Sequence, residues 1–135
     1  ITVLNSQAAA LAGVESVVDP SAGAGKGDLF GGMANRIRQA QAASRGEVLT
    51  ILGANGKPIN LLQSTGTVSV TIPCKSDDNT VDFGESKVYV GEIPGLAALN
   101  GIGVNSPPAA VLGMDVLRKR PSMMLRAQHN EVDFE

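Results

Sequence analysis

The chain has 135 residues, 43% hydrophobic and 18% charged, a balance that suits one folded domain and not a disordered segment. Eleven Lys and Arg stand against thirteen Asp and Glu, a net charge of −2, so no basic excess exists to neutralise phosphates and no nucleic-acid partner is expected. One cysteine (Cys74) and one histidine (His129) exclude a disulfide framework and a multi-ligand zinc centre, so neither metal nor cofactor is expected, and no apolar run reaches the ~18–20 residues of a membrane span.

The opening Ile1-Thr2-Val3-Leu4 is strand-like and has no leader pattern, which reads as a processed, truncated or partly observed start. Asn5 or Ser6 can cap a short helix over Gln7 to Ala12, with Gly13 at the stop position. Asp19 to Gly32 is rich in Gly, Ser and Ala and reads as irregular surface chain, the start of an insertion running to about residue 46. Met33 to Ser44 has helix-forming composition and reads as a surface helix or a partly ordered excursion, with Ile37 the one large apolar residue after Met33.

From Arg45 the period becomes two. Glu47 to Leu52 and Lys57 to Leu62 form a predicted hairpin turning at Asn55-Gly56, with Pro58 suited to an edge. Thr67 to Ile72 alternates, with Val68, Val70 and Ile72 on one face. Thr80–Phe83 and Ser86–Val90 read as two strands. Leu96 to Asn100 reads as a helical turn, and Ala109 to Leu112 as a short strand. Met114 to Arg120 reads as one helical piece stopped by Pro121. Met123–Arg126 and Glu131–Phe134 pair across Gln128-His129-Asn130 as a last hairpin. With no Trp, one Tyr and three Phe, the core must be aliphatic, drawn from Val68, Val70, Ile72, Val88, Val90, Val111, Leu112 and Leu117. The sum predicts a mainly β fold, a small closed or nearly closed barrel with short helices.

Familiar chemical motifs fail. Gly53 to Pro58 and Gly23 to Gly27 lack the spacing and Ser/Thr of a phosphate loop. Asp77-Asp78-Asn79 lacks the later acidic ligands and the glycine of a calcium loop. His129 has no nucleophile motif to serve, and Cys74, after Pro73 at a strand end, reads as a half-buried structural thiol. Arg118, Lys119, Arg120 and Arg126 form a small basic cluster. It either complements a helix end or makes a docking patch for an acidic partner.

Val111-Leu112-Gly113-Met114-Asp115-Val116-Leu117 resembles the hydrophobic-Leu-Gly-Met-Asp-hydrophobic-Leu segment near the C-terminus of retropepsin-like aspartic proteases. Other parts fall in that family's order. Thr2 to Val14 resembles the stretch after the catalytic loop. Val48 to Leu62 resembles the flap hairpin, with Gly53, Ala54, Asn55 and Gly56 at its tip. Gly66–Ile72 and Val88–Gly95 resemble the strands that follow. Leu125 and Val132-Asp133-Phe134 resemble the final hairpin. The resemblance covers residues 1–14 and about 47–134 and implies a single retropepsin-like domain over residues 1–135. In it Leu112, Gly113, Met114 and Asp115 are structural, Asp115 being a helix residue of the family and not a catalytic one.

The family's chemistry resides in Asp-Thr-Gly or Asp-Ser-Gly, one carboxylate from each subunit of a dimer sharing a proton to activate water. Neither tripeptide occurs in this sequence. The resemblance therefore implies a non-catalytic domain serving as a structural or docking subunit among other proteins of a larger assembly. The alternative is a homodimeric aspartic endopeptidase whose catalytic Asp lies upstream of Ile1; an unrelated small β-barrel binding module is the third reading. The Ala-rich text and the Gly-Met-Asp-Val-Leu form look like plant or algal relatives, some plastid-targeted, which makes a plastid photosynthetic complex one implied setting.

Overall fold

The computed structural model describes residues 1–19, 29–53, 55–75, 78–94 and 107–135. It is mainly β. Nine strands fall into a five-stranded sheet and two separate two-stranded sheets among these residues. The strands are β1 (Val3–Leu4), β2 (Val48–Leu52), β3 (Pro58–Gln63), β4 (Val68–Pro73), β5 (Thr80–Ser86), β6 (Tyr89–Val90), β7 (Ala110–Val111), β8 (Met123–Arg126) and β9 (Glu131–Phe134). The helices are α1 (Ser6–Ala12), α2 (Leu29–Ser44) and α3 (Met114–Leu117).

The large sheet runs β2-β3-β6-β1-β7. The two-residue β1 is nearly central. It pairs in parallel with β6 and antiparallel with β7. The β2–β3 hairpin runs in unbroken register from Val48↔Leu62 to Leu52↔Pro58. Gly56 turns it at φ 72, a value that strains any side-chain-bearing residue. Pro58 is tolerated because it starts its strand, beyond the reach of β6, which pairs only with Leu62 and Gln63.

Gly84 corrects one expected boundary. The first predicted strand, Thr80–Phe83, extends through Gly84 to Ser86 as β5, and the second, Ser86–Val90, is shortened to β6 (Tyr89–Val90). The ladder to β4 shifts by one residue between Ser69 and Thr71, and Gly84 takes up the extra residue at φ 70. Its N–H donates to Asp82 Oδ1 at 2.7 Å, so the chain bulges rather than stops.

Other expectations shift too. Helix α2 begins at Leu29, so residues 29–32 are helical and not irregular chain. Residues 20–28, and the turn expected at Leu96 to Asn100, lie outside the described residues. α3 ends at Leu117 instead of running to Arg120. The last hairpin turns through a 3-10 segment, Ala127–His129, and a left-handed Asn130.

The closed barrel is not formed by the described residues. β4 and β5 pair only with each other, as do β8 and β9. The strands that would have to bridge the sheets, β1, β6 and β7, are two residues long. The buried apolar residues are accordingly few: Val3, Ala9, Leu61, Phe83, Val88 and Val116. Of the expected core positions only Val88 is fully buried. Val68, Val70, Ile72, Val90, Leu112 and Leu117 are half-buried, and Val111 is exposed. The alternation of β4 is as predicted, and its apolar face is only half covered.

Candidate functional site

Among the described residues three polar ones are buried, Thr2, Asn5 and Ser64, and the first two organise the region around Gly113. Gly113 has an ordinary extended backbone, φ −87 and ψ 171. Its need for glycine is steric: a Cβ there would lie 1.9 Å from the Ile1 carbonyl oxygen. Its N–H donates to Thr2 Oγ1 at 3.0 Å. That hydroxyl in turn donates to Asp115 Oδ1 at 3.0 Å, and the Thr2 backbone N–H donates to Asp115 Oδ2 at 3.1 Å. The Leu-Gly-Met-Asp segment thus clasps the chain at Ile1-Thr2, more than a hundred positions away. Burial pushes the Asp115 carboxyl pKa upward, but the Thr2 hydroxyl, the Ile1 ammonium and the backbone N–H groups of Val116 and Asp115 together outweigh it and the group sits below its ordinary value. Within the same segment Leu112 is half-buried and Met114 is exposed.

Asn5 makes a second clasp. Its Oδ1 caps α1 by accepting from Ala8 N at 2.8 Å, and it also accepts from Ala109 N at 3.0 Å. Its Nδ2 donates to the Pro107 carbonyl at 2.7 Å. Ser6, the other capping candidate, instead donates its N–H and hydroxyl to Glu92 Oε1. Those two bonds lower the Glu92 pKa. Thr2 and Asn5 were not singled out as site residues from the sequence. The available signal was a polar residue on each side of the strand-like Val3-Leu4.

The expected flap-like tip is a tight turn. Gly56 N–H donates to the Gly53 carbonyl at 2.9 Å, and Asn55 Oδ1 accepts from Lys57 N at 3.0 Å. Ala54 lies outside the described residues.

The basic cluster is divided among separate tasks. Arg126 Nε pairs with Asp133 Oδ2 at 2.8 Å across β8–β9. Lys119 Nζ donates to the Glu85 carbonyl. Arg120 is half-buried, with its guanidinium 5.9 Å from the centre of the Phe83 ring. Arg118 is exposed and has no ion-pair partner among the described residues. His129 is an exposed turn residue, and Cys74, expected to be half-buried, is an exposed free thiol just past the end of β4. Asp77 of the Asp-Asp-Asn turn lies outside the described residues, among which no cluster fit to hold a metal ion is found.

An apolar groove of about 390 Å³ separates β4 from the large sheet. Val68, Val70 and Ile72 line one wall, and Leu4, Val88 and Leu112 the other. No family model, curated protein or solved structure matches this chain. Among the described residues no helix is long and apolar enough to cross a membrane.

Proposed function

We propose that these 135 residues form a retropepsin-like scaffold that works through protein contacts, as a structural or docking subunit of a larger assembly. A plastid photosynthetic complex is the setting that the resemblance to plant and algal relatives suggests. The observation that carries the docking reading is the β8–β9 hairpin. It pairs with no other strand among the described residues, and Met123, Met124, Leu125 and Val132 on it are exposed. A two-stranded hairpin is marginal in water without a third strand or a covering surface. The absence of an Asp-Thr-Gly or Asp-Ser-Gly tripeptide supports the non-catalytic half of the reading, since the aspartic mechanism needs two carboxylates that share one proton. The purified chain is assayed at acid and neutral pH with an inhibitor mimicking the tetrahedral intermediate. No inhibitor-sensitive cleavage is expected, and its appearance would overturn the reading.

A second reading is favoured by the Gly113 clasp. It holds Ile1-Thr2, the place that follows the catalytic loop in the resembled family. A homodimeric aspartic endopeptidase with its catalytic Asp upstream of Ile1 would use this clasp to position that loop. The sequence encoded immediately before Ile1 separates the two readings. Asp-Thr/Ser-Gly there, with cleavage by the longer chain lost on Asp→Asn, establishes the enzyme.

A further inference from the structure

Helix α2 leaves most of its described side chains in solvent. Every described side chain from Met33 to Gln41 is exposed. The helix is joined to the sheet through its last turn, where Glu47 N–H donates to the Ala42 carbonyl at 2.9 Å. Ala42, half-buried, lies about 140° around the helix from Ile37 at 100° per residue. The side that turns toward the body is therefore not the apolar one. Met33 and Ile37, one turn apart, remain 66% and 56% exposed.

The charges of this helix are one-sided. Leu29 to Ser44 contains Arg36 and Arg38 and no acidic residue, in a chain whose net charge is −2. The two arginines lie about 100° to either side of Ile37, flanking the Met33/Ile37 ridge. Neither has an ion-pair partner among the described residues, whereas Arg45 just beyond the helix is paired with Glu47 at 3.6 Å. An apolar pair with one arginine on each side is the layout of a helix lying in a bilayer interface. There the apolar groups enter the acyl boundary and the arginine stems reach back to the headgroups. With no acidic residue on the helix, the charge beside this apolar pair complements an anionic surface.

We propose that α2 is an interfacial helix that docks this domain on an anionic lipid surface through Met33 and Ile37, with Arg36 and Arg38 at the headgroups. The inference is independent of whether the domain is catalytic. Anchoring by one short ridge is weak and reversible, so a second attachment is required for stable residence.

The test is co-sedimentation of the full 135-residue chain with phosphatidylcholine vesicles, with and without phosphatidylserine. The expected result is partition onto the anionic vesicles that weakens with added salt. Each arginine is worth about a fivefold change, so Arg36→Gln with Arg38→Gln lowers partition roughly 25-fold. Ile37→Glu lowers it about tenfold or more. These positions are exposed, so the β-sheet circular dichroism of each variant is expected to match the parent. Arg118→Gln, an exposed cation elsewhere, leaves partition unchanged. No partition onto anionic vesicles, equal partition onto neutral ones, an unaffected Ile37→Glu variant or an equal loss in Arg118→Gln would each overturn the proposal. The first of these, with binding to an acidic protein instead, would make the ridge a protein contact.

Discussion

At the scale of single residues, Gly113 and Asp115 hold the domain's two ends of sequence together. Gly113→Ala forces a Cβ to within 1.9 Å of the Ile1 carbonyl, and because the obstacle is backbone it cannot rotate away. A loss of about 1–3 kcal/mol is expected, read by urea denaturation. The glycine φ is ordinary, so the cost is steric rather than torsional. Asp115 gives a pH signature. Its folded pKa is depressed, so the stability it contributes is present above the unfolded value and is lost as pH falls through the folded one. Stability should therefore decline below about pH 4, and Asp115→Asn should flatten that part of the profile. An identical pH profile in the variant would mean that other carboxylates carry the acid response.

At the scale of elements, the start of α1 separates two residues that sequence preferences treat alike. Asn5 and Ser6 are both good capping residues. Only Asn5 caps, and it is buried with bonds to Pro107 and Ala109 as well. Asn5→Ala is expected to cost about 2–3 kcal/mol, from the lost cap plus an unsatisfied buried N–H and carbonyl. Ser6→Ala removes an exposed bond to Glu92 and should change stability by about 0.5 kcal/mol. Equal effects in thermal melts would show that the cap alone matters. The β4–β5 bulge makes the same point differently. The strand predicted to end at Phe83 runs on to Ser86, because antiparallel pairing on both sides of Gly84 carries the ladder past the bulge.

At the scale of the whole molecule, the three sheets are joined by few contacts. Phe83 of β5 meets Phe134 of β9 edge-on, with ring centres 5.1 Å apart, and Arg120 lies over Phe83. This cluster ties the last hairpin to the rest. Phe83→Ala should free β8–β9 before the five-stranded sheet melts, since Phe83 belongs to β5, which is not a strand of that sheet. Amide exchange by mass spectrometry should show β8–β9 protection falling severalfold while β2–β3 protection is kept. Uniform loss of protection would instead show one cooperative unit.

The local features were legible because their causes are local. The strict alternation of Val68, Val70 and Ile72 sets a strand with one apolar face. Asn55-Gly56 supplies the positive-φ turn of the β2–β3 hairpin, and the apolar run before Gly113 sets the β7-to-α3 step. What only the tertiary structure decided concerns residues far apart in sequence. That Thr2 bonds Asp115, that Asn5 rather than Ser6 is the cap, and that Gly113 must lack a side chain all depend on which segments meet. Period and turn chemistry do not specify those meetings. The same reason explains why the barrel was expected and a groove was found. Alternation says which side of β4 is apolar, but only the placement of β1 and β7 opposite it determines how much of that face is covered.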